Sequence, residues 1–165
     1  MNLLIIGSGA REHAFAWKIH SSKHHVNIFV TNPNAGIIDF VTPINIDVSN
    51  FELIKKSIIL NSISFVLVGP EIPLIHGITD FILNDLDLQY VKVIGPNKLG
   101  AMLEGSKEFA KDFMIKHNIP TASYKSFNKQ TINQGIQFIN NNNPPYVLKA
   151  DGPAAGKGVI IVNSA

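Results

Sequence analysis

Apolar positions fall in short blocks along the chain. The blocks alternate with stretches in which apolar residues return every three or four positions. Residues 3–6 ("LLII"), 65–68 ("FVLV") and 91–94 ("VKVI") are short apolar runs, each ended by a glycine. Runs of this length read as strands buried on both faces. Residues 26–31, "VNIFVT", form a further strand, and "NPNAG" after it is a turn cluster. Between these blocks the spacing predicts helices over 10–20, with Ala14, Trp17 and Ile19 among the apolar positions, over 51–60, capped by Ser49 or Asn50, and over 77–86. Strands alternating with helices through short loops predict an α/β, Rossmann-like open parallel sheet with helices on both faces. Gly7, Gly69 and Gly95 each follow a strand. The carboxyl ends of the strands form the ligand edge of such a sheet.

The pattern changes near residue 104. "LEGSKEFAKDFMIKHN" predicts a helix opened by Ser106, with Phe109, Phe113 and Met114 turned inward and Pro120 beyond its end. "TASYKSF" at 121–127 predicts a strand, 131–140 a helix, and "NNNNPP" an exposed turn. "YVLKA" and "VIIV" predict two strands flanking a glycine-rich loop. The expected division is a domain over residues 1–104 and the start of an α+β unit over 105–165.

Composition narrows the function classes. The 165 residues are 45% hydrophobic and 16% charged, enough to bury a core and too apolar for a disordered chain. A net charge of +2 with no dense basic run gives no reason to expect nucleic acid as a partner. Cysteine is absent, which excludes disulfides and thiolate metal sites. The amino-terminal apolar run is too short for a signal peptide, and no stretch approaches the roughly 20 apolar residues of a membrane span. These readings predict a cytoplasmic protein with no membrane partner. No histidine falls in a metal-ligand spacing.

Five stretches carry candidate chemistry. "GSGAREH" follows the first strand and opens a helix, where backbone amides can meet an anion. Gly7 and Gly9 match the dinucleotide fingerprint, but Glu12 stands where its third glycine belongs, and the second strand ends in "TNPN" without the acidic residue that would hold a ribose. Binding of NAD is therefore disfavoured; the alternatives are a phosphate loop and a plain turn. "VGPE" and "IGPN" put Glu71 and Asn97 at strand ends, where they could bond a polyol or simply turn the chain. Lys107 in "EGSK" reads by itself as a surface lysine. "YVLKADGPAAGKG" is the most informative stretch. Lys149 ends an apolar strand, where a lysine calls for an anionic partner. The loop after it has three residues between Gly152 and Gly156, and Gly158 in place of a hydroxyl, so it is not a Walker A loop. Strands on both sides make it a hairpin flap that can fold over a triphosphate.

Taken together, "IIGSGAREHAFAWK", "NPNAGI", "VGPEIPLIHGI", "IGPNKLGAMLEGSKEFAKDFM", "IPTASY" and "VLKADGPAAGKGVIIV" closely resemble the N-terminal part of the glycinamide ribonucleotide synthetase family of ATP-grasp ligases, over essentially the whole chain. The resemblance implies ligation of glycine to 5-phosphoribosylamine, driven by ATP through a glycyl phosphate, in purine biosynthesis. It implies ATP with magnesium or manganese, with the metal ligands outside this chain, and a full-length enzyme that is a monomer. Lys107, Lys149, Gly152, Ala155, Gly156, Lys157 and Gly158 are then expected at ATP, and Gly7, Gly9, Arg11, Glu12, Asn34, Gly36 and Glu71 at the phosphoribosyl group. Pro153 departs from the aliphatic residue expected in the flap; it pre-sets φ and removes one amide donor. The chain is expected to be an N-terminal fragment without turnover of its own. Competing readings are another ATP-grasp ligase or carboxylase, and a nucleotide-binding module without catalysis.

Overall fold

The computed structural model describes residues 1–154 and 156–164. It divides into two units, Met1–Ala101 and Met102–Ala165. The first unit is built on five parallel strands: β1 (Asn2–Ile6), β2 (Asn27–Thr31), β3 (Thr42–Ile44), β4 (Phe65–Val68) and β5 (Lys92–Ile94). Their order across the sheet is β3-β2-β1-β4-β5. In register, Leu4 lies between Phe29 and Val66, and Ile5 between Val30 and Leu67. The expected open parallel sheet is thus present.

Strand alternation divides the core between the two faces of the sheet. Leu4, Ile6, Val66 and Val68 pack with Ile54 and Ile58 of α2 (Phe51–Leu60) and with Leu74, Ile78 and Ile82 from α3 (Glu71–His76) and α4 (Ile78–Asn84). Leu3, Ile5, Ile28 and Val30 pack on the other face with Ala16 of α1 (Ala10–His20) and with Ile37. In α1 the small Ala16 meets the sheet, while Trp17 is left 57% exposed. Asn50, not Ser49, caps α2: its side chain accepts from the Leu53 N–H.

Two elements of this unit escape the hydrophobic pattern. β3, "TPI", is an edge strand, which is where a proline can sit in a sheet. Helix α3 begins six residues earlier than the expected helix over 77–86, and Gly77, at φ +95°, caps it and starts α4.

In the second unit, α5 (Lys98–Gly105), which crosses the division, precedes α6 (Lys107–Lys116) and α7 (Ile132–Asn140); β6 (Tyr146–Lys149) and β7 (Val159–Val162) pair antiparallel. The expected strand over 121–127 is absent, and the segment has no regular structure. It lies along α6 through side chains instead: Lys111 Nζ donates to Thr121 Oγ1 and the Ala122 carbonyl, and the Tyr124 hydroxyl bonds Asp112. β-propensity without a neighbouring strand does not make a strand. Phe113, expected inward, is 37% exposed with its ring against His117, while Phe109 and Met114 are half-buried. Among the described residues, all the fully buried hydrophobic side chains lie between Leu3 and Ala101. The β6–β7 ribbon leaves Val147, Leu148, Val159, Ile160 and Ile161 exposed.

Candidate functional site

At the carboxyl edge of the first sheet, the turns after β1 and β4 converge. Residues 7–12, Glu71 and the end of β2 border a cavity of about 640 Å³. Of the seven positions expected at a phosphoribosyl group, Gly7, Gly9, Arg11, Glu12 and Glu71 line it, and Asn34 and Gly36 do not. Asn34 holds the rim from behind. Its amide donates to the Ser8 carbonyl at 3.0 Å, and its Oδ1 accepts from the Gly36 N–H at 3.0 Å. Asn97, the other polar strand-end residue, accepts from the Gly100 N–H at 2.8 Å and caps α5.

The loop "GSGARE" is held by its own side chains. Gly7, at φ +114°, takes a conformation that an L side chain rarely adopts, and its N–H donates to the buried Thr31 Oγ1 at 2.7 Å. The Gly9 N–H donates to Glu12 Oε2 at 2.6 Å, so Glu12 closes the first turn of α1 from the third helical position. Glu12 is 4% exposed. A Cβ on Gly69 would lie 2.0 Å from its Oε1, so the β4 turn can approach only because residue 69 has no side chain. Arg11 Nη1 donates to the Gly69 carbonyl at 2.6 Å and ties the two turns together.

This arrangement decides part of the chemistry. A dinucleotide pyrophosphate would need the Gly7 and Gly9 amides, and Thr31 and Glu12 already occupy them. Glu12 in its ionised form is also an anion at the positive end of α1. The remaining guanidinium N–H groups of Arg11 have no partner among the described residues, and Arg11 is exposed at the cavity. They suit a phosphate, and the half-buried carboxylate of Glu71 suits hydroxyl donors. Thr31 is the functional residue that pattern reading missed. It ends the second strand, where a dinucleotide site would carry an acid, and its hydroxyl serves the loop.

In the second unit the glycine-rich flap joins β6 to β7. The ladder runs from Tyr146–Val162 to Lys149–Val159 and continues with the Ala150 N–H on the Gly158 carbonyl at 2.8 Å. Gly152 and Gly156 have φ of +82° and +77°. Ala155 lies outside the described residues. Lys107, in the first turn of α6, reaches the flap root: its Nζ donates to the Gly152 carbonyl at 2.7 Å. Lys149 and Lys157 are exposed. No carboxylate among the described residues pairs with Lys149, which is exposed at the end of β6.

Asp151, a residue that sequence reading passed over, is the polar centre of this unit. Its carboxylate accepts from the Lys107 N–H at 2.6 Å, the Glu108 N–H at 3.3 Å and the Ser106 hydroxyl at 3.0 Å. Partial burial pushes its pKa up, but the amides of Glu108 and Lys107, the Ser106 hydroxyl and the Gly152 amide outweigh burial and hold it below the ordinary carboxylate value.

Comparison with known proteins matches the chain in two parts. Residues 1–104 match the family model for the N domain of phosphoribosylglycinamide synthetase, and residues 105–165 match its ATP-grasp (A) domain. The phosphoribosylamine–glycine ligase of Caldanaerobacter subterraneus subsp. tengcongensis is 40% identical over 98% of this chain and 37% of its own length. That of Neisseria meningitidis serogroup B is 43% identical over the same shares. The crystal structure of phosphoribosylamine–glycine ligase from Thermotoga maritima superposes with a TM-score of 0.70 at 31% identity, over 99% of this chain and 36% of that one. The chain therefore spans a little over a third of the length of these relatives.

Proposed function

The chain belongs to the phosphoribosylglycinamide synthetase family, and from that premise we propose that it supplies the phosphoribosyl-binding domain and part of the ATP lid of an ADP-forming ligase. That ligase joins glycine to 5-phosphoribosylamine in purine biosynthesis. The observation that carries this reading is the cavity at the sheet edge, bordered by Gly7, Gly9, Arg11, Glu12 and Glu71.

In the reaction, a glycine carboxylate oxygen takes the γ-phosphoryl group of ATP, giving ADP and glycyl phosphate. The amine of phosphoribosylamine then attacks the glycyl carbonyl, phosphate leaves, and the nitrogen loses a proton. Arg11 holds the 5-phosphate through its unpaired N–H groups. Glu71 accepts from the ribose hydroxyls. Lys107 and Lys149, with the glycine-rich flap over residues 152–158, hold the ATP phosphates. The family's use of ATP implies magnesium or manganese, which neutralises phosphate charge when bound. Among the described residues no group of three His, Asp or Glu side chains converges to hold a metal. The described residues therefore do not fit a metal site, and the positive charge they bring to the triphosphate comes from lysines. Among the described residues no helix is long and apolar enough to cross a membrane. The reading includes a cytoplasmic setting and a full-length monomer, with no nucleic-acid partner.

Titration calorimetry with ribose 5-phosphate tests the proposal. Saturable binding is expected, weakened roughly tenfold or more by Arg11→Ala, the loss of a charge-assisted contact. Glu71→Gln should weaken it less, because an amide oxygen still accepts. Saturable binding of NADH without binding of ribose 5-phosphate would overturn the reading.

A further inference from the structure

Two stretches that look independent in the sequence, "EGSK" and "KADGPAAGKG", meet at one carboxylate. Asp151 is the residue at which the flap leaves β6, and Ser106 is the N-cap of α6. The Ser106 side chain accepts from the Phe109 N–H at 3.1 Å while its hydroxyl donates to Asp151 Oδ2. Asp151 Oδ1 takes the Lys107 and Glu108 amides. One residue further on, the Gly152 carbonyl receives the Lys107 ammonium. The backbone of Lys107 is thus fixed by Asp151 and its side chain by the neighbour of Asp151. A lysine on an exposed helix turn would otherwise sample many rotamers, at a side-chain entropy of up to about 2 kcal/mol.

We propose that Asp151 is a positioning residue: it locks the root of the glycine-rich flap to the first turn of α6 and so aims the ammonium of Lys107. This rests on the ATP-phosphate role given to Lys107. The lock has two consequences. The chain up to Gly152 is pinned by β6 and by the Asp151 contacts. The amino end of α6 is also closed to phosphate, since a carboxylate already fills it, so phosphate is met by the flap amides and by lysine side chains. Ser106 supports the same lock through a single hydroxyl, and Pro153 follows the accepting carbonyl with a restricted φ that stiffens the exit from it.

The test is residue-resolved acylation of lysines in this chain, read by mass spectrometry, with nuclear magnetic resonance of the Lys107 and Glu108 amides beside it. Asp151→Asn keeps the shape and removes the charge; Asp151→Ala removes the contacts. Acylation of Lys107 should rise roughly 5- to 30-fold in Asp151→Ala and less in Asp151→Asn, the factor carried by one or two hydrogen bonds. Lys149 and Lys157 should be unchanged. In the unsubstituted chain both amide signals should shift together on acidification, with a midpoint below that of an ordinary aspartate, and the step should vanish in Asp151→Asn. A general loosening would raise all three lysines and leave no such step. The charged neighbours in hydrogen-bonding reach of Asp151 are Lys107 and Glu108, and Glu108→Gln should leave the step in place. Unchanged Lys107 acylation in both variants, or amide signals indifferent to Asp151, overturns the proposal. The role of Lys107 itself is read separately, from the affinity for ATP of Lys107→Ala.

Discussion

Substituting Gly69 by alanine probes the contact that shapes the sheet-edge cavity. The φ of Gly69 is not in the left-handed region, so the backbone accepts alanine and the whole effect is one of space. The added Cβ would stand 2.0 Å from Glu12 Oε1, 2.5 Å from its Cδ and 2.6 Å from its Cγ. Real Cβ contacts do not occur at such distances, so Glu12 must move. It is 4% exposed and bonded to the Gly9 N–H at 2.6 Å, which leaves little room to yield. Overpacking costs roughly 1–3 kcal/mol, and breaking the Gly9 bond costs about 1 kcal/mol more. The reduced freedom of an unfolded alanine returns roughly 0.4–1 kcal/mol. The expected net loss is about 2 kcal/mol, a fall in Tm of roughly 10 °C for a unit of this size. Urea unfolding followed by circular dichroism measures it. The double substitution Glu12→Ala with Gly69→Ala removes the obstructing side chain and should be more stable than the sum of the single effects by roughly 1 kcal/mol. Wild-type stability in Gly69→Ala, or strict additivity in the double variant, would refute the packing argument. Because Arg11 bonds the Gly69 carbonyl, the single variant should also weaken ribose 5-phosphate binding.

Three further outcomes follow from individual contacts. Asn50→Ala removes the cap that accepts from the Leu53 N–H and should destabilise the first unit by about 1 kcal/mol in chemical denaturation; Ser49→Ala should not. Tyr124 donates to the Asp112 carboxylate, and this bond, with burial and the charges of Asp112 and Glu108, pushes its pKa up to about 12. Negative neighbours disfavour the phenolate, so ultraviolet titration should place its ionisation well above the ordinary tyrosine value, and Asp112→Asn should bring it back down. Amide exchange should be faster in β6 and β7, whose side chains are largely exposed, than in β1 and β4, where Leu3 to Ile6, Val66 and Val68 are buried; equal protection of the two sheets would contradict this.

The glycine-ended apolar runs by themselves determined the sheet class. Leu3 to Ile6 can be buried on both faces only in a covered sheet, and parallel pairing follows from the helices between the runs. The turns after β1 and β4 were legible as strand-end glycine loops, because such a loop is a local feature. What depends on neighbours distant in the chain was decided only by the fold. Residues 121–127 have the composition of a strand, yet no strand lies beside them, and a ladder needs a partner. Glu12 was legible only as the residue standing where a third glycine would be. The close approach of Gly69, which sequence cannot announce, turned its carboxylate inward to hold the loop. Asp151 carries no signal in a one-dimensional reading, because its partners lie more than forty residues earlier. Local pattern determines which elements form and where they end; hydrogen bonds and steric contacts made across the fold decide which polar side chains face a ligand and which hold the frame.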